Sequence, residues 1–353
     1  MRLVLVDRLL KRPTAAPAPA LHPKPERIFW WWEQICNLSC NHCDIGRRTK
    51  SFRIEPVLGL EQKREVLRRL ARWLERPFSL SFIAGEPFLH RDLLDVIAFA
   101  AEHRATTSVT TNGTLTATRE RAERVVASGL SFIAVSVDSL DPEYHDASRG
   151  KAGTWTLAMN TIRHIREARE RLGSATPRLY VNSIVMRDNL AGLLALSDWC
   201  RAEGIEGHTF QPVATTDFFM ASKPQGDRWF AHSPLFPSRA TALEFVAELE
   251  RRKAAGFRIE NSDNDFRKFR AYFRDPIAFG HGESCESELQ TLLVTQDGHV
   301  KMCPNTRESF GHVLKDDLDA LWSGRAAARA RDHVYECASQ CKILANTKED
   351  FYF

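Results

Sequence analysis

Residues 28–43 read IFWWWEQICNLSCNHC: an apolar run from Ile28 to Trp32, then Cys36, Cys40 and Cys43. The apolar run reads as a buried strand, and the cysteines as a loop at its end. Three closely spaced thiolates can hold three irons of a [4Fe–4S] cluster, cysteine thiolate being the usual iron–sulfur ligand. Such clusters normally take four cysteines, so this C-x3-C-x2-C motif leaves one iron open to a small chelating ligand. Open iron on a redox cluster means chemistry. Zinc would want a fourth Cys or His at knuckle spacing, and His42 lies too close in sequence to complete that geometry. A disulfide framework is disfavoured, because long chains without secretory signals use cysteine for metals or catalysis.

The bulk properties set the class. The chain has 353 residues, 43% hydrophobic and 27% charged, as a globular protein does. Its formal net charge is +4, and without a basic–aromatic stripe nucleic-acid binding gets no support. No apolar run approaches the roughly 20 residues of a membrane span. The start, MRLVLVDRLLKRP, lacks a small-residue cleavage pattern, so the expected compartment is the cytoplasm. Leu3, Val4, Val6, Leu9 and Leu10 alternate with Arg2, Arg8, Lys11 and Arg12. A short basic helix making weak membrane-surface contact is one reading, and docking on the protein is the favoured one.

Residues 1–26 form an N-terminal segment and a Pro/Ala-rich tether, with five prolines between Pro13 and Pro25. Strands are expected at Ile28–Glu33, Phe78–Ile83, Thr107–Thr110, Phe132–Val137, Arg178–Val185 and Gly207–Gln211. Between them run helical stripes, among them Leu67, Leu70 and Leu74, then Trp155, Ala158, Ile162 and Ile165. This alternation argues for parallel βα units, and about six fit between residues 27 and 255. Within that span, 213–240 breaks the pattern with Phe218, Phe219, Trp229, Phe230 and Phe236 among Pro, Gly and Ser. It follows a strand's C-terminal end, so it is a candidate substrate lid, with structural cover of the barrel mouth weighing equally. Residues 256–353 make a linker and a second, smaller unit, opening on a hairpin around Gln296-Asp297-Gly298.

The cysteine motif, taken with later segments, resembles the radical S-adenosylmethionine (SAM) enzymes. Their G-G-E-P motif after the second strand stands here as Ala84-Gly85-Glu86-Pro87. Thr111-Asn112-Gly113 matches a T-N-G after the third strand, and Ser136-Val137-Asp138 an S-x-D at the end of the fourth. Arg149 closes an H-D-x-x-R run from His145, and Asn182 sits on the fifth strand. The resemblance implies SAM contacts from His42, Gly85, Glu86, Pro87, Asn112, Ser136, Asp138, Arg149 and Asn182. Arg149 would pair with the SAM carboxylate, guanidinium and carboxylate matching in geometry. Glycine permits close backbone approach at Gly85, and Ala84 departs from the family's first glycine by one methyl. An Asp near a strand end also often caps the next helix, which is the competing reading of Asp138. By the family's mechanism, one electron from the cluster cleaves SAM to a 5′-deoxyadenosyl radical that abstracts hydrogen from a C–H bond.

A second set, Cys285, Cys303, Cys337 and Cys341, includes the G-x4-C run from Gly298 to Cys303. It resembles the SPASM and twitch auxiliary-cluster domains, and four cysteines suit the single-cluster twitch form. Zinc stays open for this set. Cys200, left over, reads as a buried structural thiol. The expectation is α/β: a partial (β/α)6 TIM-like barrel with a small C-terminal twitch-type iron–sulfur domain. It would carry two [4Fe–4S] clusters and SAM, and draw electrons from a donor such as flavodoxin or ferredoxin. A small-molecule substrate (sugar, aminocyclitol or nucleoside type) is favoured over a peptide or protein side chain. A non-catalytic metal-binding protein is the third reading. Phe219 and Trp229 are the substrate-lining candidates.

Overall fold

The computed structural model describes residues 22–48, 57–214, 228–285, 290–306 and 308–345. Six short strands follow one another: β1 Arg27–Trp31, β2 Phe78–Ile83, β3 Ala105–Thr111, β4 Phe132–Ser136, β5 Arg178–Val185 and β6 Gly207–Pro212. Each pairs in parallel with the next. The helices between them are α1 Leu60–Leu74, α2 Leu93–Glu102, α3 Arg119–Ala127, α4 Pro142–Arg149, α5 Thr154–Leu172 and α6 Leu190–Ala202. This is a partial (β/α)6 barrel.

The helices form because their apolar residues share one stripe. Val66, Leu67, Leu70 and Leu74 of α1, like Ala158, Ile162 and Ile165 of α5, are buried against the sheet. Side chains alternate across each strand. Ile28, Trp30 and Trp32 therefore join the layer beneath the helices, where Trp32 meets Phe82 edge to face. Ser136, Asn182 and Thr209 lie in register across β4, β5 and β6, so they form one row on a single face of the sheet.

After β6 come α7 Arg239–Ala254 and α8 Asp263–Arg274. The next strands are β7 Thr291–Val294, β8 His299–Lys301 and β9 Gly311–His312, followed by α9 Arg325–Glu336. The hairpin expected to open a separate unit belongs to the barrel sheet. β7 pairs with β1 in parallel, and β8 and β9 continue the sheet antiparallel, in the order β6-β5-β4-β3-β2-β1-β7-β8-β9. β1 has an edge of unpaired backbone N–H and C=O groups in an incomplete barrel, and the backbone of β7 pairs with it. Period-2 patterning reveals that a strand exists, not which edge it joins.

Candidate functional site

The cysteine loop leaves the C-terminal end of β1, where parallel barrels carry their chemistry. Backbone contacts from three later segments hold it. Glu86 N donates to Ile35 O (3.0 Å) and Asn41 N to Ser148 O (2.9 Å). A Cβ on Gly46 would stand 1.6 Å from Leu38 O, and one on Gly150 2.4 Å from Ser39 O. The loop is thus wedged against its own short helix and against the end of α4.

The Ala84-Gly85-Glu86-Pro87 turn braces this loop. Ala84 and Gly85 both adopt positive φ, +69° and +52°. A Cβ on Gly85 would meet Ile35 O at 2.2 Å and Glu33 O at 2.9 Å. The close approach that glycine permits here is to the cysteine loop. The alanine is also not a small departure, because a side chain in the left-handed region is strained. Glu86 is buried and accepts from Thr111 Oγ1 (2.8 Å), Asn112 N (2.8 Å) and Phe88 N (3.2 Å). Burial pushes its carboxyl up to about 7, against the pull of those donors. Pro87 is buried at the start of the one-turn helix that follows.

Asn112 reaches the thiols. Its Nδ2 donates to Asn37 Oδ1 (2.9 Å) and lies 3.8 Å from Cys36 Sγ. Thr114 and Asn37 close this network, with Thr114 Oγ1 donating to Asn112 Oδ1 (2.6 Å) and accepting from Asn37 Nδ2 (2.8 Å). Asn37 and Thr114 were not singled out from the sequence, although both sit inside or beside quoted motifs. Burial and the neighbouring acidic groups push the Cys36 thiol up to about 12, and burial also raises Cys40 and Cys43.

Asp138 and Arg149 are both buried, with Arg149 Nη2 2.7 Å from Asp138 Oδ2. Asp138 Oδ1 accepts from Ile184 N (3.0 Å). Burial works to raise the Asp138 carboxyl, but Arg149, His42 and His145 hold it below its ordinary range. The Arg149 charge also pulls against the burial that raises the Cys40 thiol. In this structure the guanidinium pairs with Asp138. Asp138 does not cap the following helix; Asp141 does, accepting from Glu143 N and Tyr144 N. His42 is half-buried, its Nδ1 3.3 Å from Asn41 Oδ1. Ser136 and Asn182 share their row with Thr209, a buried residue whose hydroxyl has no partner among the described residues. Only the register across β6 could have pointed to Thr209.

The second set takes its donors from neighbours in its own segments. Asn305 donates from Nδ2 to Cys341 Sγ (3.1 Å) and from its backbone N to Cys303 Sγ (3.4 Å). Ser339 donates from N to Cys337 Sγ (3.3 Å) and from Oγ to Cys341 Sγ (3.1 Å). Cys285 is half-buried against the core. Tyr272, whose hydroxyl donates to Val213 O just past β6, lies close enough to Cys341 to feel its charge. Trp229 Nε1 donates to Gln340 Oε1 (2.9 Å) and packs edge to face on Phe236, which meets Tyr272 and Phe273 on α8. Trp229 therefore ties the C-terminal segment to the barrel, in place of the expected open pocket wall. Phe219 lies outside the described residues, as does most of the candidate lid. Cys200 is buried on α6.

Among the described residues no three His, Cys, Asp or Glu side chains converge to hold a single ion. A cluster does not require that, since each thiolate takes its own iron. The N–H donors aimed at sulfur and the glycines that seat the loop fit such a group.

The comparisons agree. The radical SAM superfamily model matches residues 34–187, and the iron–sulfur cluster-binding SPASM model matches residues 285–342. The latter span contains all four cysteines of the second set. The AdoMet-dependent heme synthase of Nitratidesulfovibrio vulgaris is 30% identical over 196 residues, 55% of this chain and 50% of that protein. The chain thus spans about half the length of that curated relative. The mycofactocin maturase MftC of Mycobacterium ulcerans is 26% identical over 304 residues, 84% of this chain and 74% of that protein. The solved structure of Streptococcus suis SuiB bound to S-adenosylmethionine shares the fold at 14% identity and a TM-score of 0.62, covering 86% of this chain and 66% of that one. These two domains imply SAM and [4Fe–4S] clusters as cofactors. The chain carries a radical SAM superfamily domain at residues 34–187 and an iron–sulfur cluster-binding domain of the SPASM type at residues 285–342.

Proposed function

We propose that this chain reductively cleaves SAM at the Cys36, Cys40 and Cys43 loop and takes hydrogen from a small-molecule substrate. The second cysteine set would hold one auxiliary cluster that accepts the substrate's electron. The observation that carries the reading is the placement of the Cys36, Cys40 and Cys43 loop at the C-terminal end of β1, where a parallel barrel carries its chemistry. When bound, the cluster and SAM supply one-electron cleavage of a carbon–sulfur bond and a carbon radical strong enough to break C–H bonds. The protein's own residues bind and orient. Asn112 would orient the Cys36 thiolate, Arg149 pairs with Asp138 beside the loop, and the row Ser136, Asn182 and Thr209 offers hydroxyl and amide groups to a polar ligand. Gln211, two residues beyond Thr209 on β6, extends that row. His42, beside Cys43, remains placed to stack on a flat ring, and Gly85, Glu86 and Pro87 serve by bracing the loop. An external one-electron donor of the flavodoxin or ferredoxin type would supply the reducing equivalent.

The similarity to a heme synthase supports a non-peptide substrate. The longer match to mycofactocin maturase supports the second reading, modification of a peptide. The test is anaerobic incubation of the cluster-loaded chain with dithionite and SAM, reading 5′-deoxyadenosine. Release that vanishes in the Cys36→Ala, Cys40→Ala, Cys43→Ala protein is the expected result, and its persistence overturns the reading. Stimulation by tetrapyrrole, aminocyclitol or nucleoside candidates supports the first substrate class. A SAM-dependent mass change found only on peptide candidates transfers the proposal to the second.

A further inference from the structure

Two residues stitch the second cysteine set together. Asn305 donates from its backbone N to Cys303 Sγ (3.4 Å) and from Nδ2 to Cys341 Sγ (3.1 Å). Ser339 donates from its backbone N to Cys337 Sγ (3.3 Å) and from Oγ to the same Cys341 Sγ (3.1 Å). Cys341 therefore takes two side-chain donors at once. The fold holds both of them in place. Around Asn305 the turn is closed by Thr306 Oγ1 on Cys303 O (2.9 Å) and by Lys301 Nζ on Thr306 O (2.8 Å). Asn305 Oδ1 is buried and finds no partner among the described residues, so the sulfur is what orients the amide. A thiolate only accepts, and the NH2 end is the one that can face it. Ser339 Oγ accepts from Cys341 N (3.3 Å), which leaves its hydrogen for the sulfur. Next to Cys341, Lys342 Nζ donates to Gly280 O (2.7 Å) and Glu283 O (2.6 Å) and anchors the segment. At the loop after β1, the side-chain amide of Asn112 stands farther from its sulfur, 3.8 Å from Cys36 Sγ.

We propose that Asn305 and Ser339 are positioning residues that raise the reduction potential of the cluster held by the second set, through their two side-chain hydrogen bonds to Cys341 Sγ. This rests on the reading that Cys285, Cys303, Cys337 and Cys341 hold an iron–sulfur cluster. A reduced cluster is one charge more negative than an oxidised one. N–H and O–H dipoles aimed at a ligand sulfur stabilise the more negative state, and hydrogen bonds to the sulfurs are among the determinants of cluster potential. Donors outside the ligand set tune a metal centre without binding it. The backbone donors to Cys303 and Cys337 survive any substitution other than proline at 305 and 339. The two side chains therefore carry the part of the bias that these positions can change. A raised potential suits a cluster that takes one electron from a substrate radical, the substrate being oxidised as the cluster is reduced.

The experiment uses the full chain with its clusters assembled anaerobically. Its readout is the midpoint potential, followed by electron paramagnetic resonance during dithionite titration. The second cluster is identified as the signal that remains in the Cys36→Ala, Cys40→Ala, Cys43→Ala protein. Asn305→Ala and Ser339→Ala should each lower its reduced-to-oxidised ratio at fixed potential about threefold. The double variant should lower it about tenfold, or about 59 mV for one electron. Ser339→Thr keeps the hydroxyl and should stay at the wild-type midpoint. The first cluster's midpoint should not move in any of these proteins. A merely structural pair would shed iron without shifting a midpoint. A second-cluster midpoint that stays at wild type or rises in either alanine variant overturns the proposal and leaves the cluster assignment standing, and so does loss of that cluster from either. If the double variant alone sheds the cluster, the single variants still decide. Failure of the assignment looks different: Cys303→Ala combined with Cys341→Ala would keep as much iron as wild type.

Discussion

Glu86 allows the brace beneath the cysteine loop to be weighed. Its Oε1 accepts from Thr111 Oγ1 and Phe88 N, and its Oε2 from Asn112 N. Burial pushes the carboxyl up to about 7 from its ordinary 4.5. The unfolded chain therefore releases this proton first as pH rises. Between those two values the folded state binds more protons than the unfolded state, so stability falls with increasing pH. At about 1.4 kcal/mol per unit, the full difference is about 3 kcal/mol, present below the unfolded value and lost above about pH 7. Glu86→Gln removes the titration but sets an NH2 group against one of the donors. One lost or inverted hydrogen bond in a buried site costs about 1–3 kcal/mol.

The variant should therefore be destabilised by about 1–3 kcal/mol near pH 5.5 and be close to wild type near pH 8, where wild type carries a buried charge. The assay is anaerobic urea unfolding of the cluster-loaded protein, followed by far-ultraviolet circular dichroism at several pH values. The decisive quantity is the difference between the two proteins, since every other titrating group cancels in it. A difference independent of pH would show that Glu86 ionises in its ordinary range, and the burial argument would be wrong.

Three other substitutions probe the same scaffold. Ala84→Gly should raise stability by about 0.5–1 kcal/mol, because the left-handed strain at +69° outweighs the extra freedom of glycine in the unfolded chain. A melting temperature below wild type would contradict this. Gly85→Val should push Ile35 O aside, since even a Cβ would lie 2.2 Å from it, and so deplete the iron of the first set while the second keeps its own. Iron counts on the purified variant decide, and wild-type iron would refute the contact. Trp229→Phe should cost about 1 kcal/mol through the lost bond to Gln340. It should also loosen iron retention at Cys337 and Cys341 without changing SAM affinity.

The strands were legible because each is a short apolar or β-branched run between helical stripes. Phe78–Ile83 and Arg178–Val185 have the bounds that period and composition suggest. The cysteine motif was legible because its chemistry is local: three ligands within eight residues need no tertiary information. What stayed hidden depends on contacts across the fold. Gly85 was read against a cofactor, but it faces the carbonyl of a residue fifty positions earlier. Arg149 was read toward a carboxylate of SAM, and no local pattern reveals that Asp138 pairs with it inside the fold. Thr209 carried no motif at all, and it gains meaning only from register with Asn182.

These hidden contacts share a physical logic. The loop that presents three thiolates buries Leu38, but it cannot rest on apolar side chains alone, because the space more of them would fill is the site. It is held instead from behind, by backbone groups of β1, β2 and α4 that meet it at glycine-like distances. Asn41 N on Ser148 O, Glu86 N on Ile35 O, and the seats of Gly46 and Gly150 all act on the main chain. Bonds of that kind fix where the sulfurs stand without depending on the cluster, since their donors and acceptors belong to the barrel. The core beneath, with Trp30, Trp32 and Phe82, is already packed. Iron should therefore add little to the folding of the barrel itself, in contrast to small domains whose structure exists only with metal bound. The second set rests on less. Its sulfurs receive donors from Asn305 and Ser339, each two residues from a cysteine of its own segment, so its order should depend far more on the metal it holds.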